Sequence, residues 1–181
     1  MKRLISTLAI SLSALSASQM AWAELKAGDK APDFSAQVAL AGQVSTFTLD
    51  EALKKGPVVL YFYPAAFTTG CTIEAHLFAE ATDKFKALGA TVIGVSNDSL
   101  DTLKRFSVSE CGGKFAVAAD TDQKIMKSYD SVYLFKTNYA NRASYVIAPD
   151  HTILYEYTSM SPDKHVANTL AAVQEWDAKK K

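Results

Sequence analysis

The chain has 181 residues, 49% hydrophobic and 21% charged, with 19 basic and 19 acidic side chains. That length suits one domain with a sizeable core, and the composition is that of neither a disordered nor a fibrous chain. A formal charge of zero speaks against nucleic acid as the main partner, because phosphate binding needs a basic excess or stripe; the single basic run, Lys179 to Lys181, reads as a solvated end. Two cysteines are too few for a disulfide-dense scaffold, so the core must supply the stability.

Lys2 and Arg3 are the only charges before Glu24, and a Leu-, Ile-, Ala- and Ser-rich stretch, Leu4 to Met20, leads to Ala21-Trp22-Ala23. A basic start, a short apolar middle and an Ala-x-Ala end describe a cleavable secretory signal peptide over residues 1–23. The other reading is an uncleaved anchor, but the serines from Ser6 to Ser18 make the stretch poorly apolar for a spanning helix. No later apolar run approaches membrane length. The expectation is an exported, periplasmic protein whose mature chain, 24–181, is one domain with 17 basic and 19 acidic groups, net −2. Both cysteines lie in that part, and in an oxidising compartment paired cysteines tend to be disulfides or redox-active.

Ser35 to Leu40 and Val44 to Leu49 read as a hairpin turning at Ala41-Gly42, followed by a short helix capped by Asp50 and ended by Gly56. Val58 to Tyr63 is apolar and β-branched or aromatic throughout, as a strand buried on both faces should be. A helix from about Cys71 to Leu88 carries Phe78, Ala81, Phe85 and Leu88 at three- and four-residue steps and closes at Gly89. Thr91 to Ser96 is a second buried strand. Asn97-Asp98-Ser99 opens a helix with Leu100, Leu103 and Phe106 that breaks at Gly112-Gly113. A strand over Phe115 to Ala118 and a helix near Asp122 to Tyr129 follow. Ser144 to Ile147 and Thr152 to Tyr157 form a hairpin across Ala148-Pro149-Asp150-His151. The last helix starts with Ser161 as N-cap and Pro162 in its first turn, and buries Val166, Leu170 and Val173. Strands alternating with helices, then a hairpin and a final helix, predict an α/β fold with a mixed sheet covered by helices on both faces. That pattern is compatible with a thioredoxin-like fold, and with other α/β sandwiches.

The segment from Val59 to Glu74 places Cys71 where a central strand ends and a helix begins. Backbone N–H groups and the positive end of the helix dipole there favour the thiolate, which is the nucleophilic form. Thr68 can aim a hydroxyl at the sulfur or at an oxygen beside it, and Pro64 fixes the entering loop and can shield the sulfur from water. Glu74, one turn on, can hold an arginine. Arg142, just before the strand that starts at Ser144, is the candidate arginine; near Cys71 it would polarise an oxygen bound beside the sulfur as charge develops. The alternative for Arg142 is a surface charge at a strand entry. His76, His151 and His165 show no zinc-type spacing with the cysteines, so His76 reads as a helix-face histidine. Tyr61, Tyr63 and Trp176 read as packing residues.

Pro64-x-x-x-Thr68-x-x-Cys71 on a strand-to-helix turn, followed by Glu74, resembles the peroxidatic motif of peroxiredoxins. The wider match is to the Q-type (bacterioferritin comigratory protein-like) group, through Lys30-Ala-Pro-Asp-Phe34, Val59 to Pro64, Gly94-Val-Ser96, Phe115 through Asp120, Arg142-Ala-Ser-Tyr-Val-Ile147, Lys164-His165 and Leu170. The resemblance implies a thioredoxin-like fold and thiol-dependent reduction of hydrogen peroxide or organic hydroperoxides, with no metal or organic cofactor. It implies that Cys71 is the peroxidatic nucleophile, that Thr68 and Arg142 position the peroxide, that Pro64 shields the sulfur and that Glu74 supports the arginine. It further implies a thioredoxin-like or other thiol reductant as partner, and a monomer.

The chain departs from the pattern at His76, which stands where many Q-type proteins keep a resolving cysteine five residues after the first. Cys111, beside the Gly112-Gly113 break, is the other candidate resolver. A cysteine at a frayed helix end could swing toward Cys71 and form an intramolecular Cys71–Cys111 disulfide, provided the two Cα atoms come within ~7 Å. The alternative is a free Cys111 thiol, with an external thiol resolving Cys71. Two other functions stay open at this point: a thiol–disulfide oxidoreductase, weakened by the absence of Cys-x-x-Cys, and a non-catalytic binding module stapled by Cys71–Cys111.

Overall fold

The computed structural model describes residues 25–180; the expected signal peptide lies outside them. Strand β1 (Ser35–Leu40) and β2 (Gln43–Thr48) pair in register around Ala41-Gly42. Both turn residues have positive φ, 49° and 78°, the two-residue turn whose twist matches a hairpin. Helix α1 (Leu49–Leu53) begins one residue before the expected cap: Thr48 is its N-cap, and Asp50 sits in the first turn with its N–H donating to Asp33 Oδ1 at 3.0 Å. Strand β3 (Val58–Phe62), helix α2 (Thr69–Ala87), strand β4 (Thr91–Ser96) and helix α3 (Leu100–Ser109) follow. The expected α3 cap is present, Ser99 accepting from the Thr102 N–H at 3.3 Å. Strand β5 (Ala116–Ala119), helix α4 (Lys124–Ser128), the hairpin β6 (Ala143–Ile147) and β7 (Ile153–Thr158), and helix α5 (His165–Lys179) complete the order.

One seven-stranded sheet runs β2-β1-β5-β4-β3-β6-β7, with β3 parallel to β4 and antiparallel to β6. Alternation along β3 divides the core, as a strand buried on both faces requires. Val58, Leu60 and Phe62 meet Leu49, Leu53, Ile125 and Met126 from α1 and α4. Val59, Tyr61 and Tyr63 meet Phe78, Phe85, Leu103, Phe106 and Val173 from α2, α3 and α5. Tyr61 stacks on Phe78 with ring centroids 4.3 Å apart, and its phenol end lies over Gly94, where an added Cβ would come within 2.7 Å of the ring. Gly94 therefore supplies the slot that the Tyr61 ring fills. Tyr61 and Tyr63 are core residues, as expected, both fully buried.

Helix α5 starts later than the Ser161 cap predicts. The Ser161 hydroxyl is engaged by Asp163 Oδ2 at 2.9 Å, the N-cap position is Lys164, and the buried face is His165, Thr169 and Val173, with Val166 and Leu170 half-buried. Among the described residues no helix is long and apolar enough to cross a membrane.

Candidate active site

Helix α2 follows the carboxyl end of β3 across a short loop, 63–68, and Cys71 is its third residue, 2% exposed. The loop between them is held from β4: Asp98 Oδ2 accepts from the Ala66 N–H at 2.7 Å and from the Ser96 hydroxyl at 2.8 Å. Phe67 within this loop has φ 64°, a strained conformation for a bulky residue, and its ring rests edge-on against Phe106 at 5.2 Å. Pro64 is half-buried and, with Ala65, Thr68, Tyr133, Tyr139, Lys136 and Met160, lines a cavity of about 370 Å³. Thr68 lies beside the site, at the start of the helix that carries Cys71. It is the N-cap of α2, but its exposed hydroxyl donates to the Ala65 carbonyl at 2.9 Å, closing the loop, and not to the sulfur.

Arg142 is brought to Cys71 by strand direction. Because β6 runs antiparallel to β3, with Phe62 opposite Ala143, the start of β6 lies beside the end of β3. Arg142 is 3% exposed, so the surface-charge alternative fails. Its Nη2 donates to Cys71 Sγ at 3.3 Å, its Nη1 to Glu74 Oε2, and its Nε to the Met160 carbonyl at 3.0 Å. Gly70 leaves room for the guanidinium; a Cβ there would lie 3.1 Å from Nη2. The planar fork is thus fixed at three points with one N–H on the sulfur, which suits a sulfur that carries or develops negative charge.

Glu74 is fully buried. Burial pushes its carboxyl up to about 8, against the pull of the Arg142 charge. Its second oxygen, Oε1, has no hydrogen-bond partner among the described residues and faces His165 Nδ1 at 3.7 Å. His165 is buried and bonded at both nitrogens, to Ser144 Oγ at 2.8 Å and to the Ser159 carbonyl at 2.8 Å. Burial holds its ring down at about 4. His165, Ser144, Gly70 and the carbonyls of Ser159 and Met160 were not assigned site roles from the sequence; the Lys164-His165 pair was its one available signal.

Cys111 differs from the sequence expectation. The end of α3 is closed, not frayed: the Cys111 N–H reaches the Phe106 carbonyl at 3.1 Å, Gly113 N–H the Ser107 carbonyl at 2.9 Å, and Lys114 N–H the Cys111 carbonyl at 3.0 Å. Gly112 and Gly113, at φ 57° and 65°, make that closure possible. Cys111 is fully buried in the same apolar layer as Cys71, and both are free thiols. Burial, with Glu110 adding, pushes the Cys111 thiol well up. His76 is a half-exposed helix-face residue, as expected, with Nε2 3.0 Å from Glu110 Oε2. Among the described residues no group of three or more His, Cys, Asp or Glu side chains is placed to hold a metal ion.

A buried cysteine at a helix start, a guanidinium on its sulfur and a carboxylate behind that guanidinium, set on a thioredoxin-like sheet, define the peroxiredoxin class of fold and site. A sequence profile of the AhpC/TSA family matches residues 27–156, and the chain belongs to that family. It is 34% identical over 149 residues to the chloroplastic peroxiredoxin Q of Oryza sativa subsp. japonica, covering 81% of this chain and 66% of that protein. It therefore spans just under two thirds of the rice relative's length. Against peroxiredoxin Bcp of Bacillus subtilis it is 29% identical over 161 residues, covering 86% of this chain and 99% of that protein. The solved structure of peroxidoxin BcpB from Mycobacterium tuberculosis superimposes with a TM-score of 0.75 at 28% identity, covering 84% of this chain and 98% of that one.

Proposed function

We propose that the protein is a thiol-dependent peroxidase that reduces hydrogen peroxide and organic hydroperoxides, with Cys71 as the peroxidatic cysteine. The observation that carries this reading is the Arg142 Nη2–Cys71 Sγ contact, backed by the buried Glu74. The Cys71 thiolate attacks one peroxide oxygen, the O–O bond breaks, and the departing alkoxide or hydroxide takes up a proton as the sulfur becomes a sulfenic acid. Arg142 neutralises charge on the sulfur and on the oxygen being displaced. Thr68 and Pro64 wall the cavity beside the strand-to-helix turn; in this proposal Thr68 helps to position the peroxide and Pro64 shields the sulfur from bulk water.

Cys111 is the resolving cysteine in this proposal: its thiol condenses with the sulfenic acid, releases water and leaves an intramolecular Cys71–Cys111 disulfide that a thioredoxin-like or other thiol protein reduces. A shared apolar layer supports the pairing; the closed α3 terminus must open for it. Neither an organic cofactor nor a metal enters the cycle. The protein is further proposed to be a monomer, exported to the periplasm after cleavage behind Ala23, on the strength of the pattern Lys2 to Ala23.

Intact mass with a thiol count, before and after one equivalent of hydrogen peroxide, tests the reading. Loss of two thiols with the mass of two hydrogens is expected. Gain of one oxygen at Cys71, with Cys111 still free, would replace Cys111 by an external thiol. Two thiols unmoved by peroxide would remove the peroxidase. The N-terminal sequence of the mature protein tests cleavage: Glu24 is expected, Met1 overturns it.

A further inference from the structure

The cluster behind Cys71 contains one permanent cation, Arg142, and three groups that hold or release a proton: Cys71, Glu74 and His165. All four are at most 3% exposed. The hydrogen positions follow from the partners. The Ser159 carbonyl only accepts, so the hydrogen of the neutral His165 ring is on Nε2, and Nδ1 presents a lone pair to which the Ser144 hydroxyl donates. Glu74 uses Oε2 for Arg142, which leaves Oε1 facing Nδ1 at 3.7 Å. Nδ1 is already satisfied by Ser144, so Oε1 is the one acceptor of the slot left without a donor, which is unfavourable for a buried carboxylate oxygen unless a proton sits on it.

The other charged and titratable groups around this slot are few. Helix α2 contributes Glu74 and Cys71, the start of β6 contributes Arg142, and β7 contributes the Tyr157 ring, edge-on to His165 at 4.8 Å. From β3 comes Tyr61, whose hydroxyl has no hydrogen-bond partner among the described residues. Arg142 is the only cation among them. A Cys71 thiolate beside an ionised Glu74 would place two anions on one guanidinium in a buried site, which electrostatics opposes.

We propose that Glu74 Oε1 takes the proton that leaves the Cys71 thiol, and that His165 Nδ1 holds it there. The inference rests on Cys71 being the nucleophile. The S–H bond breaks, its electron pair stays on sulfur, and an O–H bond forms at Oε1; net charge is unchanged and nothing is oxidised. The new O–H donates to Nδ1 once the Ser144 hydroxyl turns away and the 3.7 Å gap between Oε1 and Nδ1 shortens to hydrogen-bond length. When Cys71 becomes a neutral sulfenic acid, Arg142 needs a new counter-ion, and Glu74 gives up one proton, the number the leaving alkoxide requires. The raised Glu74 carboxyl and the lowered His165 ring fit these roles as proton holder and acceptor.

The test is infrared difference spectroscopy near neutral pH on reduced protein carrying ¹³C-labelled glutamate, before and after Cys71 is alkylated with iodoacetamide. The ultraviolet thiolate band is followed in parallel. Reduced protein is expected to show a protonated-carboxyl band that disappears on alkylation and is missing from Glu74→Gln. A reduced protein with thiolate but no such band, or a band untouched by alkylation, overturns the proposal. His165→Gln separates holding from packing: the midpoint of the pH profile for Cys71 alkylation should rise by about one unit, tenfold in the thiolate ratio. A superimposable profile removes His165. No peroxide enters either measurement, so loss of the peroxidase reading and loss of this one are distinguishable.

Discussion

Cys71 and Cys111 sit in one apolar layer and are hidden to nearly the same degree, 2% and 0% exposed, yet their surroundings differ in kind. Cys71 opens a helix and touches a guanidinium that is itself anchored to Glu74 and to the Met160 carbonyl. Cys111 closes a helix, among apolar neighbours and beside an acid, Glu110, and its thiol is pushed up accordingly. Burial alone therefore does not set a cysteine's electrostatic surroundings. The N–H donors and cations that accompany it into the core decide how well a thiolate is tolerated there.

The largest effect should come from exchanging one sulfur at a time. Cys71→Ser is expected to abolish peroxide turnover, measured by peroxide consumption with excess thiol reductant, whereas Cys111→Ser should accumulate sulfenic acid on Cys71, trapped by a dione reagent. Retained turnover in Cys71→Ser would erase the distinction between the two sites.

Next, Arg142→Met removes the one feature that most separates the neighbourhoods. It should lower kcat/KM by about 10²–10³-fold, as removal of a transition-state charge donor does. Arg142→Lys should recover little of this, because an ammonium cannot span Cys71, Glu74 and Met160 at once. A lysine variant near wild-type activity would show that a point charge suffices.

A smaller effect is on stability. His165 is buried neutral at about 4, below its unfolded value of 6.5, so the unfolded chain binds more protons between these values. Stability from this group is complete above pH 6.5 and is lost as pH falls through 4, by up to about 3 kcal/mol. Urea midpoints across that window should fall steeply in wild type and less in His165→Gln. Parallel curves would locate the acid sensitivity elsewhere.

The smallest effects concern the layer that both cysteines share. Gly94→Ala puts a methyl within 2.7 Å of the Tyr61 ring and should destabilise by about 1–3 kcal/mol through overpacking, read as a lower Tm. Tyr61→Phe removes an unpartnered hydroxyl and should stay within about 1 kcal/mol of wild type. A large loss in Tyr61→Phe would mean the hydroxyl has a role in the layer.

What was legible in the sequence is what contiguous residues encode. Pro64, Thr68, Cys71 and Glu74 lie on one strand-to-helix turn, and Arg142 followed from the strand it precedes. Less legible were contacts made by backbone carbonyls, which have no residue signature: those of Met160 and Ser159 depend on the turn before α5, where Asp163 engages the Ser161 hydroxyl and delays the helix to His165. The Thr68 hydroxyl's bond to the Ala65 carbonyl is of the same kind, a local side-chain-to-backbone contact that the residue type alone does not specify. At Gly112-Gly113, glycines that read as a break instead complete a tight terminus, since left-handed backbone serves either purpose.

The antiparallel entry of β6 against β3 also sets when the site exists. Cys71 and Arg142 are 71 positions apart, and neither strand alone holds the contact. Chains are made from the N-terminus at about 5–20 residues per second. Cys71 is thus synthesised seconds before its arginine, and a growing chain has no guanidinium on the sulfur until β6 docks. The Cys71–Arg142 contact is a property of the finished sheet, made only when β6 pairs with β3.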